Sequence, residues 1–290
     1  MKKKTSFSTK GQRADIDLLR IHRILPNRYA DKVGPFVFLD HIAPVSQNKI
    51  NTSGTGAHPH RGIATLTYVI SGEVEHFDSR GNHRKVHSGG IQWMKAGNGI
   101  IHDEILNADS QTGKNTIHAF QFWINLPTRI KEEDPEYRAI QGNDVPQLVI
   151  TPEGSLLKVI VGEYQGLRSA IPNYSEQFLY HLQIKSGDKI NLQFDLNTEV
   201  AAFLPTSDAV LNDAHFKKGE FIEFDRMAGE IEMEGIAGEP AEIILFGGAP
   251  YTDPMVAEGP FVMNDLSGIT EAYKDFYAGK YGRIEHKQNE

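Results

Sequence analysis

Gly56-Ala57-His58-Pro59-His60-Arg61-Gly62, with its later companion Ala96-Gly97-Asn98-Gly99-Ile100-Ile101-His102-Asp103-Glu104, is the stretch around which this chain is organised. His58/His60 and His102/Glu104 are each spaced i, i+2. Side chains alternate between faces along a β-strand, so each pair projects to one side. Four metal-ligating groups therefore come as two same-face pairs. Between them lie the strand-like Thr65-Leu66-Thr67-Tyr68-Val69-Ile70 and Glu73-Val74-Glu75-His76-Phe77, separated by turns at Ser71-Gly72 and Asp78-Ser79-Arg80-Gly81-Asn82. Wrapped into a small barrel, these strands aim both pairs inward at one ion.

Imidazole with carboxylate suits Fe(II), Mn(II), Ni(II), Cu(II) or Zn(II), and the pattern alone does not choose among them. Three histidines and one glutamate leave open positions on a six-coordinate ion, the form of a catalytic site, whereas structural zinc sites are closed and tetrahedral. With 12 histidines in the chain, a single His-x-His would decide nothing. Two same-face pairs beside glycine turns favour a metal centre. The absence of cysteine excludes disulfides and thiolate ligation and agrees with a reducing compartment.

The 290 residues allow one large or two medium domains, and 39% hydrophobic with 23% charged residues fits a globular chain with a real core. A net charge of −8 provides no global basic field, so direct nucleic-acid binding and recruitment to anionic membranes are not expected. Met1-Lys2-Lys3-Lys4 is followed by polar residues rather than an apolar signal core, and no run is long enough to span a bilayer. The expected location is cytoplasmic.

Several further segments carry a family resemblance: Pro35-Phe36-Val37-Phe38-Leu39-Asp40-His41, Gln92-Trp93-Met94-Lys95, Gln121-Phe122-Trp123-Ile124-Asn125-Leu126-Pro127 and Glu258-Gly259-Pro260-Phe261-Val262-Met263-Asn264. Together with the two histidine motifs they resemble the pirin family of the cupin superfamily, over nearly the whole chain. The resemblance implies an all-β chain of two tandem cupin barrels, each a double-stranded β-helix or jelly roll. In that family the metal ligands are the two histidines of the first motif with the histidine and glutamate of the second. Carried over, they are His58, His60, His102 and Glu104. They imply one divalent transition metal, with Fe(II) taken first and Mn, Ni, Cu or Zn as alternatives. One departure concerns Ala64: steps of two from His58 and His60 reach it where the general cupin motif places a glutamate.

Outside the motifs, Ile16, Leu18, Leu19, Ile21 and Ile24 suggest strands in a mixed pattern, and Gln47 to Gly56 reads as a polar loop shaping the site mouth. Arg61 could orient an anionic group, although an arginine beside a turn is more often solvated or salt-bridged; Trp93 is expected in the core, and His83 and His87 are left out of the site. From Asn115 to Leu126 a strand presents His118, Phe120 and Phe122 on one face and Gln121 and Trp123 on the other, one of which reaches the pocket. Lys131 to Glu136 reads as a solvated linker, which sets domains at 1–137 and 138–290. The second half repeats the first: His181 to Asp188 echoes Thr67 to Glu73, and Phe216 to Ile222 echoes Val86 to Gln92. It carries no ligand set, since Ala228-Gly229-Glu230-Ile231 replaces the His-x-Glu region. A C-terminal helix is expected at about 267–278, capped by Ser267, with Ile269, Ala272, Tyr273, Phe276 and Tyr277 on one face. The segment before it, Glu258 to Asn264, reads as an extended crossing that clamps the barrels.

By resemblance, the expected activity is a quercetin 2,3-dioxygenase-type ring opening of a flavonol, with dioxygen as co-substrate and Glu104 as both fourth ligand and catalytic base. The competing expectation is a metal-dependent, iron redox-sensing regulatory protein that binds a transcription factor or metabolic enzyme. A two-barrel chain pairs its own sheets, so a monomer is expected.

Overall fold

The computed structural model describes residues 1–16, 19–236 and 238–285; Leu18 lies outside them. Contacts divide the chain into two compact units that are discontinuous in sequence. One combines 15–21, 42–144 and 252–290; the other combines 1–14, 22–41 and 145–251. Chain order groups the C-terminal helix with the second half, whereas its contacts group it with residues 42–144. Phe261, Met263, Ile269, Ala272 and Tyr281 form a buried cluster against Ile101, and burying that apolar set settles the helix's place. Among the described residues no helix is long and apolar enough to cross a membrane.

The unit holding the histidine motifs is built from β1 (His58–His60), β2 (Ile63–Ser71), β3 (Glu73–Asp78), β4 (His83–Val86), β5 (Ile91–Lys95), β6 (Ile100–Asn107), β7 (Thr116–Asn125) and β8 (Glu136–Ile140). One sheet runs β1-β6-β3-β4 and the other contains β8-β5-β2-β7, with antiparallel pairing throughout. β2 is buried from Ile63 to Val69, as expected for a central strand rich in β-branched and aromatic residues. Trp93, 1% exposed, is in the core.

The other unit contains β9 (Gln147–Val149), β10 (Leu156–Val161), β11 (Gln177–Ile184), β12 (Lys189–Phe194), β13 (Glu199–Phe203), β14 (Ala209–Leu211), β15 (Ala214–Phe216), β16 (Glu220–Phe224), β17 (Gly229–Glu234) and β18 (Ala241–Gly248). The N-terminal strand Thr5–Lys10 opens its large sheet, which continues β16-β13-β18-β11-β10-β9, and the small sheet runs β12-β17-β14-β15. The small sheets match strand for strand, with β12 in the place of β1 and β17 in the place of β6. The echo of Val86 to Gln92 in Phe216 to Ile222 agrees with this order. The other echo shifts by one strand, because β13, not β11, corresponds to β2. Glycine-turn hairpins recur several times in each barrel, so local similarity could not fix that pairing. Ile190, Leu192 and Phe194 of β12 and Ile231 and Met233 of β17 are buried in one apolar cluster. Where β1 and β6 carry the candidate ligands, these two strands pack apolar side chains.

The helix α1 (Leu266–Tyr277) is capped by Asp265, whose side chain accepts from Gly268 N at 2.8 Å; Ser267 already lies inside the first turn. Ile269 and Ala272 are buried, but Tyr277 is 79% exposed and stands off the apolar stripe. Lys131 also departs from its expected solvated setting. Its Nζ donates to Gly62 O at 2.9 Å, Val262 O at 2.6 Å and Asn125 Oδ1 at 2.5 Å. Burial pushes its pKa down to about 7, against the pull of Asp253 and Glu132. A buried ammonium is tolerated here because all three of its donors find oxygens.

Candidate metal centre

Register brings the motif residues together. In the antiparallel pairing of β1 with β6, His58 lies opposite His102, and in that of β6 with β3, Glu104 lies opposite His76 and His102 opposite Asp78. Directly opposed residues share a face, so two motifs distant in sequence project into one space. One nitrogen from each of His58, His60 and His102 falls within 4.8 Å of the others, and a second such group joins His102, His76 and Glu104. Glu104 is therefore grouped with the cluster through His102 and His76.

The hydrogen bonds set the imidazole tautomers. His58 Nδ1 donates to Gly56 O at 2.7 Å and His60 Nδ1 to Pro260 O at 3.0 Å, since a carbonyl oxygen can only accept. Each Nε2 then carries a lone pair. His58 Nε2 and His102 Nε2 lie 3.0 Å apart, and His60 Nε2 is buried without a hydrogen-bond partner. A divalent ion with metal–nitrogen bonds of about 2.1 Å sets neighbouring nitrogens at right angles about 3 Å apart. The donor set fits such an ion. Burial, reinforced by His58, pushes His60 down to about 3; burial also drives His102 well below the usual range, aided by His60, His58 and His76. Both rings are thus neutral at neutral pH, the form that ligates metal.

The supporting residues are less visible in sequence. Thr67 Oγ lies 2.8 Å from Glu104 Oε1 and donates to it, and Gln121 Nε2 donates to Oε2 at 3.2 Å, fixing the carboxylate. Burial raises the Glu104 pKa, while His76 and the Thr67 bond oppose that rise. Thr65, Thr67, Gln121 and Trp123 define the inward face of β2 and β7; the Trp123 ring meets His60 edge-on at 4.9 Å. The Gln121/Trp123 face of β7 is therefore the one that reaches the site. Ala64 points the other way. β1 ends at His60, and Gly62, with φ of +81°, interrupts the strand, so a count in steps of two does not carry across it.

His76 and Asp78 supply a third i, i+2 pair that went unread. His76 Nε2 donates to Asp78 Oδ2 at 3.1 Å, and its ring stacks on Tyr137 at 4.3 Å. Asp78 also accepts from Arg80 N and from the backbone and side chain of Asn82. Burial opposes its ionisation, but the bonds from His76 and Asn82 prevail and hold its pKa below the usual carboxylate range. The signal was present as His-x-Asp on a strand between the two motifs; it was hidden by its position beside a turn, where Asp is common.

Arg61 is salt-bridged, to Glu132 at 2.9 Å and Asp275 at 3.0 Å, and so is not positioned for an anionic substrate. His83 pairs with Glu75, and His87 joins Glu73 and Asp109 in a separate cluster. That cluster's carboxylates are taken up by Lys85, Ser88 and Ser110. The loop before β1 closes over Glu104: Thr55 N donates to Glu104 O at 3.0 Å and Gly56 N to Asp103 Oδ1 at 3.0 Å. A cavity of about 40 Å³ remains there, lined by Ile16, Leu19, Asn51, Ser53, Thr55 and Glu104 among others. It has room for a few waters.

Residues 18–124 match the Pirin family profile, and residues 179–282 match that of the pirin C-terminal cupin domain. This chain belongs to the pirin family. A pirin-like protein of Caulobacter vibrioides is 30% identical to it over 93% of this chain and 92% of its own length. A Vibrio cholerae pirin relative, provisionally named quercetin 2,3-dioxygenase, is 31% identical over 92% of this chain and 93% of its own. The crystal structure of quercetin 2,3-dioxygenase from Acinetobacter baumannii superposes with a TM-score of 0.90 at 29% identity, covering 98% of this pirin chain and all of that one. The two barrels are thus cupin domains, and this pirin carries His/Glu groups of the kind that hold a divalent metal.

Proposed function

We propose that this pirin is a metal-dependent dioxygenase that opens a quercetin-like flavonol, and that His58, His60, His102 and Glu104 hold its single ion, Fe(II) in the first instance. The observation that carries this reading is the convergence of three imidazoles, those of His60 and His102 buried and that of His58 half-buried, with the Nε2 atoms of His58 and His102 3.0 Å apart, beside a carboxylate held by Thr67 and Gln121. The likeness to the Acinetobacter baumannii enzyme supports it. A bound divalent ion would supply Lewis-acid polarisation of the flavonol's hydroxyketone oxygens in a water-poor site. Glu104 takes the flavonol hydroxyl proton, its orientation kept by Thr67 Oγ and Gln121 Nε2. Trp123 and the apolar wall at Ile16 and Leu19 exclude water and flank the planar rings. The division of labour, a metal-bearing first barrel and a metal-free second, belongs to the same proposal.

One observation favours a second reading. The cavity beside Glu104 is far smaller than the roughly 300 Å³ of a typical small-molecule pocket, so a flavonol enters only if the loop before β1 moves. A pirin that stays closed would act instead as a metal-dependent regulatory protein binding a protein partner. Aerobic quercetin turnover by protein loaded separately with Fe(II), Mn(II), Ni(II), Cu(II) or Zn(II), against the His58→Ala/His102→Ala double variant, separates the two. Flavonol loss with carbon monoxide release, absent in the variant, is expected. Metal binding without turnover in any form would sink the dioxygenase reading.

A further inference from the structure

Among the described residues the second barrel shows no group of metal-ligating side chains, yet it opens into a cavity of about 360 Å³ lined entirely by its own residues. That volume lies in the range of small-molecule sites. Phe178 and Tyr180, two apart on β11, share one face of that strand, and Phe194 closes β12 beside them. Phe178 stacks on Tyr180 at 5.1 Å and lies 5.3 Å from Phe194, while Tyr164 meets Tyr180 edge-on at 5.8 Å. The four rings form one aromatic panel at the edge of the barrel core. β12 occupies the place that β1 holds in the other barrel, so the panel stands at the position corresponding to the histidine strand.

The charged groups of this cavity are carboxylates. Glu163, Glu176 and Asp195 line it, and no lysine or arginine is among its described lining residues. Arg168 engages Glu163 Oε2 at 2.7 Å, which leaves Glu176 and Asp195 as the wall's remaining carboxylates. Gln177, only 7% exposed, donates through Nε2 to Asn173 Oδ1 at 3.2 Å, and its buried Oε1 has no hydrogen-bond partner. That oxygen is itself enclosed, so the carboxylates and the aromatic rings decide what the cavity admits. Aromatic faces attract cations through their quadrupoles, and carboxylates add to that attraction.

We propose that this cavity binds a small organic ammonium ion, an amine carrying an aryl or alkyl body, with the body on the Phe178/Tyr180/Phe194 panel and the ammonium toward the carboxylates of Glu176 and Asp195. The carboxylate wall selects against anions of the same shape.

Titration of the full-length protein with 2-phenylethylamine at neutral pH, followed by calorimetry and by NMR of labelled tyrosines, tests this directly. The expected result is saturable binding that shifts a subset of tyrosine signals, with phenylacetate weaker by at least about tenfold. Phe194→Leu should weaken the amine by about fivefold or more. Glu176→Gln, a change outside the core, provides a variant expected to keep its melting temperature and still lose affinity. The His58→Ala/His102→Ala protein should bind unchanged. Three results would overturn the proposal: no saturation at millimolar amine, equal binding of phenylacetate, or loss of binding in the histidine double variant, which would place the amine at the other site.

Discussion

His60 Nδ1 donates to the carbonyl oxygen of Pro260 at 3.0 Å, across a separation of 200 residues. The late segment Phe261–Met263 lies against the first motif through the Arg61/Phe261 bridge, and it fixes which nitrogen of His60 faces the cluster. The outer hydrogen bond of a ligating histidine orients the ring and sets its tautomer.

A ligand bound only by the folded state raises stability by about 2.7 kcal/mol at a hundredfold excess over its dissociation constant. For a chain of this size that is a rise of roughly 5 °C in melting temperature. Ni(II) or anaerobic Fe(II) should therefore raise the midpoint of wild-type protein by about that amount, and EDTA should reverse it. His60→Ala should show no metal-dependent rise; if it shifts as wild type does, His60 is not a ligand.

Gly62 makes a close approach that no other residue can make. Its φ is +81°, and a Cβ there would lie 2.0 Å from Val262 O, a backbone atom unable to yield cheaply. Gly62→Ala should cost about 3 kcal/mol or more, combining steric clash with backbone strain. Gly56 provides the control, with φ of +87° but open space around its Cβ position. Gly56→Ala should cost about 1–2 kcal/mol from conformation alone. Equal urea midpoints for the two variants would show that the approach to Val262 is unimportant.

Asp103 latches the loop over the site. Its Oδ1 accepts from Gly56 N at 3.0 Å and Thr55 Oγ at 3.4 Å, and Gly54 packs against its carboxylate. Asp103→Ala removes those acceptors and should accelerate tryptic cleavage after Lys49 severalfold, because cleavage follows local opening. If quercetin is the substrate, the same change should speed its association. Unaltered cleavage at Lys49 would show that the loop is held by other bonds.

Glu223, in the other unit, gives a pH signature away from the metal cluster. Burial first and the neighbouring Glu199 second raise its pKa to about 7, against the pull of Arg226, and its Oε2 has no partner. A carboxyl whose folded pKa is raised contributes full stability below its unfolded value near 4.5 and loses it as pH rises through about 7. Glu223→Gln should thus leave stability nearly unchanged at pH 4 and raise it at pH 8. Partial exposure reduces the gain to about 1–2 kcal/mol. Urea melts at the two pH values measure it, and a gain at pH 4 instead would reverse the assignment.

The candidate ligand set was legible because its signal is local. His58/His60 and His102/Glu104 are i, i+2 pairs, and alternation along a strand is a property of the backbone that any reader of the sequence can apply. The strands, the glycine turns and the apolar emptiness of the second ligand position were open to the same reasoning. His76, Thr67 and Gln121 were not. Each touches Glu104 or its neighbours only through register across β3, β2 and β7, and register follows from sheet pairing rather than from spacing. Ala64 shows the same limit from the other side, since one positive-φ glycine was enough to undo a count by twos.

Lys131 reads as a surface charge in a polar run, yet it is buried among three oxygens. Nothing local distinguishes a solvated lysine from one enclosed by a distant strand. The sequence by itself determined the all-β class, the two barrels and the side chains able to meet a metal, because periodicity and ligand chemistry are carried residue by residue. Only the tertiary structure decided which histidine nitrogens face the cluster, which carboxylates are paired, and that the C-terminal segment completes the first barrel. Those outcomes depend on contacts between residues far apart in the chain, and burial decides them only once the chain has closed.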